Sequence, residues 1–221
     1  DALTCTGRTV AENLANYHYR YPEDKRVIRD LSDPFNATGG LAVLHGNLAP
    51  DGAVCKPGAM DPSVWHFKGK AMVFDNEESA DKAILDGKVG PGTVVVIRYE
   101  GPKGGPGMRE MYNAMKYLYG RGLALSTALV TDGRFSGTNN GCFVGHISPE
   151  AAEGGPLAIV KDGDEITIDV EKRELTLHVS DEEIKRRLAQ WKRPEPKIKT
   201  GYLALYSKLA SSASQGAIFK F

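Results

Sequence analysis

The chain has 221 residues, 41% of them hydrophobic, with 28 Lys+Arg against 28 Asp+Glu. That length holds one sizeable core, and the zero net charge offers no broad phosphate-binding face, so nucleic acid is not expected as a partner. No apolar run approaches the ~20 residues that span a bilayer and no secretory signal opens the chain, so a cytoplasmic protein without a membrane partner is expected.

Asp1 stands where Met would start a complete chain, which predicts sequence upstream of it. Cys5, Cys55 and Cys142 are widely spaced and form no C-x-x-C pair, so reduced, partly buried thiols are expected rather than metal ligands. No internal repeat or coiled-coil heptad is present.

A helix is expected around residues 10–17, within a stretch 1–35 that reads as a connecting segment; residues 36–221 read as one body. Residues 41–45 and 52–56 are short apolar runs on either side of the turn-like NLAPDG at 47–52. Residues 70–74 read as a strand. Asn76 then offers an N-cap to a helix whose face is Ala80, Ala83 and Ile84 and which stops at Gly87. The β-branched run 93–99 suits a buried strand.

Gly107 is expected to open the clearest helix, with Met108, Met111, Tyr112, Met115, Leu118 and Tyr119 on one face and Glu110 in its first turn. Strands follow at 126–131 and 156–160. Ile166, Ile168 and Val170 alternate with polar residues, as do Leu175, Leu177 and Val179, which predicts a hairpin turning at Glu171, Lys172 and Arg173. Ser180 and Glu183 form the pattern of a capping box for a helix carrying Ile184, Leu188 and Trp191. Pro194 and Pro196 end it, and the tail to Phe221 is expected to pack on the body. The sum is about eight strands with a few helices, an α/β fold that is either a mixed sheet or a barrel with helices outside.

Several segments could carry chemistry. YEGPKGGPGMRE at 99–110 is a glycine-rich loop whose N–H groups can approach a ligand, but it is neither a Walker loop nor a Rossmann fingerprint. Glu110 is either a charge complementing the helix dipole or a carboxylate for a hard cation such as Mg²⁺. TDGRFSG at 131–137 follows a strand end and brackets Ser136 with glycines, leaving a turn serine and an accessible reactive hydroxyl both open. A serine nucleophile needs a base. His146 is the one candidate near in sequence and no G-x-S-x-G elbow is present, so a hydrolase triad has little behind it. His146 itself, within GHISPEAAEGGP at 145–156, reads first as a structural histidine. His18, His45, His66 and His178 read as structural or surface residues.

Taken together, LTCTGRT at 3–9, GNLAPDG at 46–52, the 99–110 loop, the 131–137 turn, residues 145–156 and SSAS at 211–214 resemble, in order, the dihydroxy-acid dehydratase and 6-phosphogluconate dehydratase family, which also contains pentonate dehydratases. The resemblance implies a full chain more than twice this length. A larger N-terminal domain would supply the cysteine ligands of an iron–sulfur cluster and most Mg²⁺ ligands. This chain would be the C-terminal β-barrel flanked by helices, of swivelling-domain type. It further implies that Glu110 is the Mg²⁺ ligand of this domain, that Ser136 is the base, that the protein is a homodimer or larger homo-oligomer, and that this chain alone is inactive.

The implied activity is a hydro-lyase converting 2,3-dihydroxy acids to 2-keto acids, foremost a dihydroxy-acid dehydratase of branched-chain amino-acid biosynthesis. An aldonate or 6-phosphogluconate dehydratase is the alternative, left open because Tyr112-Asn113-Ala114-Met115 replaces the Pro-Thr-Ser-like stretch of commoner dihydroxy-acid versions. A non-catalytic binding or regulatory module is the alternative of another class.

Overall fold

The computed structural model describes residues 2–18, 20–21, 23–137 and 140–220. It divides into two units, Asp1–Thr38 and Gly39–Phe221. The first carries helix α1 (Val10–Leu14), shorter than expected and closed by a capping box: Thr9 Oγ1 accepts the Glu12 N–H while the Glu12 carboxylate accepts the Thr9 N–H. No described residue of this unit is buried, and Leu3, Leu14, Tyr21, Val27, Leu31 and Phe35 are all exposed.

The second unit runs β1 (Ala42–Gly46), β2 (Ala49–Cys55), β3 (His66–Phe74), α2 (Glu77–Leu85), β4 (Thr93–Ile97), β5 (Glu110–Met111), α3 (Asn113–Gly120), β6 (Ala128–Thr131), β7 (Arg134–Phe135), β8 (Cys142–Ser148), β9 (Glu165–Asp169), β10 (Glu174–Leu177), α4 (Asp181–Gln190) and α5 (Gly201–Leu209). Eight strands close a barrel in the order β1-β10-β9-β3-β4-β6-β8-β2, and β5 and β7 form a separate two-stranded ladder. The β3–β4, β4–β6 and β6–β8 pairs are parallel; β1–β2, β2–β8, β3–β9 and β9–β10 are antiparallel. The expected α/β fold is therefore the barrel and not an open sheet.

The β4 sequence explains its place. Side chains alternate across a strand, so Val94 and Val96 enter the barrel core with Ala128, Val130, Val144 and Ile168. Val95 and Ile97 face outward and pack with Leu129 against Ile84 of α2 and Met115 and Leu118 of α3. With both faces covered, the run needs no polar alternation. Asn76 caps α2 as expected, its side chain accepting the Ser79 N–H at 2.8 Å. The hairpin pairs Ile168 with Leu175 and Ile166 with Leu177. Ser180 caps α4 through the Glu183 N–H, but the Glu183 carboxylate turns to Arg186 and Arg187 instead of completing the box.

Two expectations fail for local reasons. Gly107 does not open a helix: Gly107 (φ 89°) and Met108 (φ 46°) both take left-handed backbone, which a right-handed helix does not tolerate. The chain leaves them as β5, Glu110 lies in a strand instead of a first helical turn, and α3 starts at Asn113. Residues 156–160 are not a strand either. Pro156 has no N–H for a ladder, and the Ala158 N–H folds back to Gly155 O, giving the 3₁₀ turn Pro156–Ile159. The tail does pack on the body: Ala204, Ala210 and Ser211 are buried and Ser207 donates to Lys103 O at 2.8 Å.

Candidate functional site

The parallel neighbours β4 and β6 each run into a glycine-bearing turn at their C-terminal ends, where open α/β sheets also place ligands. The turn after β6 begins with Asp132, which is fully buried. Its carboxylate accepts the backbone N–H groups of Tyr99 (3.1 Å), Glu100 (2.9 Å) and Ala151 (2.8 Å), joining three segments. Burial nonetheless pushes its carboxyl up to about 6.

The loop after β4 is tied down in the same manner. Glu150 accepts N–H groups from Lys103 (3.0 Å) and Gly104 (2.9 Å), and burial pushes its carboxyl up to about 7. Glu100, also buried, accepts the Glu77 N–H (3.1 Å) and pairs with Lys197 at 2.9 Å, while Lys197 donates to Tyr99 O. The loop's glycines permit this closeness: a Cβ on Gly104 would lie 2.8 Å from Tyr99 Cα, and one on Gly105 2.8 Å from Glu100 Cα. The N–H groups of Lys103 and Gly104 therefore point at a buried glutamate, not at an outside ligand as the sequence suggests.

The loop then re-enters as β5, which carries Glu110 and pairs with β7, the strand that leads to Ser136. Glu110 pairs in parallel register with Arg134, and Met111 with Phe135. Met111 is buried and Phe135 packs with it against the outer core, so Glu110 and Arg134 occupy the open side of the ladder. Arg134 Nε donates to Met108 O at 2.5 Å, fixing the strand entry. The exposed Glu110 carboxylate has no hydrogen-bond or ion-pair partner among the described residues. Ser136 follows two residues after Arg134. Thr138 and Asn139, of the same segment, lie outside the described residues.

Ser136 lines a pocket of about 250 Å³ with Val54, Cys55, Lys56, Arg134, Phe135, Phe143, Gly145 and His146. No carboxylate is among these residues, and neither Lys56 nor Arg134 makes an ion pair among the described residues. A Cβ on Gly137 would stand 3.0 Å from Lys56 Nζ, so the amine is seated against the residue after Ser136. His146 holds left-handed backbone (φ 56°) and donates its N–H to Gly133 O at 2.8 Å, beside a register shift between β2 and β8 of the kind that re-aims side chains near sites. Burial, reinforced by the Arg134 and Lys56 charges, holds its imidazole below the usual histidine range. His146, which the sequence offers first as a structural histidine, also lines the pocket. Lys56 was missed because nothing in a linear pattern pairs it with Ser136, and Asp132 and Glu150 because a buried acid leaves no periodicity.

The residues present do not fit an iron–sulfur cluster. Cys55 and Cys142 are buried, and burial pushes the Cys55 thiol up to about 12 and the Cys142 thiol up as well, away from the thiolate form that ligates. No group of three or more His, Cys, Asp or Glu suited to a metal occurs among the described residues. Glu110 does fit Mg²⁺ as a single donor, because that ion takes one or two carboxylates and completes its shell with water and substrate oxygens. Among the described residues no helix is long and apolar enough to cross a membrane.

Residues 26–217 match the family described as dihydroxy-acid/6-phosphogluconate dehydratase, C-terminal. The chain is 54% identical, over its whole length, to a dihydroxy-acid dehydratase of Caldanaerobacter subterraneus. It is likewise 54% identical to one of Acetivibrio thermocellus and 55% identical to one of Desulfosudis oleivorans. In each case it spans 39% of the relative's length. With the barrel, the 132–137 turn and these matches in hand, the chain belongs to the dihydroxy-acid/6-phosphogluconate dehydratase family and corresponds to its C-terminal region.

Proposed function

We propose that this chain is the C-terminal domain of a hydro-lyase that converts 2,3-dihydroxy acids to 2-keto acids, with Ser136 as the base and Glu110 as a Mg²⁺ ligand. The observation that supports this best is the β5–β7 ladder, which sets Glu110 opposite Arg134 and leads directly to Ser136 in a pocket lined by cations. In this reading residues 1–35 connect to an upstream domain that carries the cluster ligands, residues 36–221 form the domain described above, and the whole assembles as a homo-oligomer in the cytoplasm. Branched-chain amino-acid biosynthesis is the pathway this reading favours.

The C2 proton of a hydroxy acid is a weak acid, and hydroxide is a poor leaving group. Bound Mg²⁺ and an iron–sulfur cluster would supply positive charge for the carboxylate and hydroxyl oxygens. The part left to this chain is the proton. Ser136, deprotonated, takes the C2 proton; the C–H electron pair becomes the C2–C3 double bond as hydroxide leaves C3. The enol then gains a proton at C3 and loses one from its oxygen. The balance is dihydroxy acid to keto acid plus water. Glu110 would hold its share of the Mg²⁺ shell with one carboxylate oxygen.

The test is Ser136→Ala in the full-length protein, assayed with 2,3-dihydroxyisovalerate, pentonates and 6-phosphogluconate. Turnover is expected to fall at least about a thousandfold while the cluster absorbance stays normal. Retained turnover removes Ser136 as base. The substrate that wild type prefers decides between the dihydroxy-acid and sugar-acid forms.

A further inference from the structure

Resting on the reading of Ser136 as base, we propose that Lys56 is its positioning residue: the Lys56 ammonium, with the Arg134 guanidinium beside it, holds the negative charge that gathers on the Ser136 oxygen. Three independent features of the pocket carry this. The Lys56 amine sits against Gly137, the residue following Ser136, closely enough that a Cβ there would meet Nζ at 3.0 Å. Lys56 and Arg134 line the pocket that Ser136 lines, with no carboxylate among the lining residues. Neither cation makes an ion pair among the described residues, although such pairs are common elsewhere among them.

The backbone fixes this placement. Lys56 follows the last residue of β2, and its carbonyl accepts the N–H groups of Ala59 (2.9 Å) and Met60 (3.1 Å), so a tight turn anchors the base of the side chain. Arg134 is held from the other side by Met108 O. Lys56 is half-buried and Arg134 exposed, and neither has a counter-ion among the lining residues; the Ser136 hydroxyl that shares their pocket is the group on which the proposed step puts negative charge.

The other titratable groups facing the pocket are Cys55, at the end of β2, and His146, from β8. The Cys55 thiol is pushed up to about 12 and the His146 imidazole is held low. Both are neutral at mildly alkaline pH, so the positive charge there comes from Lys56 and Arg134.

The test compares Lys56→Gln and Lys56→Arg in the full-length protein, with Ser136→Ala alongside. Lys56→Gln is expected to lower kcat about a hundredfold with little change in KM and to move the acid limb of kcat/KM up by about one to two pH units; Lys56→Arg, which keeps the charge, is expected to restore most of both. An unmoved limb, or a rise in KM alone, overturns the proposal; the latter would make Lys56 a ligand for the substrate carboxylate. Should Lys56→Gln not fold, acetylating the folded wild type and mapping Lys56 occupancy by peptide mass spectrometry neutralises the same charge. Inactivation that tracks Lys56 occupancy supports the proposal, and activity surviving full Lys56 acetylation overturns it. Ser136→Ala with full turnover brings down the underlying reading. Ser136→Ala inactive beside a normal Lys56→Gln brings down only this inference.

Discussion

The loop at 99–109 and the turn at 132–137 look alike in composition, leave adjacent parallel strands and are both glycine-rich, yet they are built in opposite electrostatic senses. The loop rests on carboxylates: Asp132, Glu150 and Glu100 are buried and accept its N–H groups or pair with Lys197. The turn opens on cations, Lys56 and Arg134, with no acid lining the pocket. A glycine-rich segment is thus not a ligand cradle by composition. What decides is whether its donors and charges are already answered from inside the protein. Those of the loop are, so it acts as a frame that delivers Glu110; the pocket beside the turn holds Lys56 and Arg134 without an ion pair among the described residues, and in the proposed reading that is the side that meets substrate.

The glycines give the sharpest way to break that comparison. At Gly104 a Cβ meets backbone, 2.8 Å from Tyr99 Cα, so Gly104→Ala is expected to cost about 3 kcal/mol in urea unfolding. At Gly137 a Cβ meets only the mobile end of Lys56. Gly137→Ala is therefore expected to stay within about 0.5 kcal/mol of wild type while losing about tenfold in kcat by displacing the amine. Equal stability losses at the two sites would erase the distinction between frame and site.

Glu110→Gln probes the junction of the two regions. It is expected to raise the Mg²⁺ concentration needed for half-maximal turnover about tenfold in the full-length protein without lowering the unfolding midpoint, because the exposed carboxylate has no protein partner among the described residues. An unchanged Mg²⁺ titration would leave Glu110 as a solvated surface charge.

The smallest effect is the pH dependence of the frame. Asp132 is pushed up to about 6, and Glu150 and Glu77 to about 7. A carboxyl whose folded value exceeds its unfolded one binds its proton more tightly when folded, so its stabilising contribution is full below about 4 and is lost as pH rises through 6 to 7. Glu183, held at about 2 by Arg186 and Arg187, acts in the opposite sense and only below its ordinary 4.5. The unfolding temperature is therefore expected to rise as pH falls from about 8 to about 5.5, and Glu150→Gln is expected to flatten that rise. A midpoint that falls over this range contradicts the burial assigned to these acids.

Much of the fold was legible because its signals are local. The Asn76 cap, the run Thr93–Ile97 and the alternation through Ile166, Ile168, Leu175 and Leu177 each mark their elements within a few residues. The failures were equally local in cause but hidden: consecutive left-handed residues at Gly107 and Met108 override a helical periodicity that begins one turn too early. Barrel closure was not legible, since it depends on β1 meeting β10 and β2 meeting β8 across the chain. Of the proposed site residues, Ser136 and Glu110 come from family resemblance, and glycine spacing alone leaves both undecided. Lys56 was not reachable at all, because its relation to Ser136 exists only once β2 lies beside β8.

The central claim is that the Ser136 oxygen takes the C2 proton, and the most direct measurement follows that proton. Full-length wild type and Ser136→Ala are each incubated with 2,3-dihydroxyisovalerate deuterated at C2, and loss of the deuteron is followed by NMR. Wild type is expected to release it with a primary isotope effect, and Ser136→Ala to leave it in place with the cluster intact. Release of the deuteron by Ser136→Ala at a wild-type rate would contradict the account.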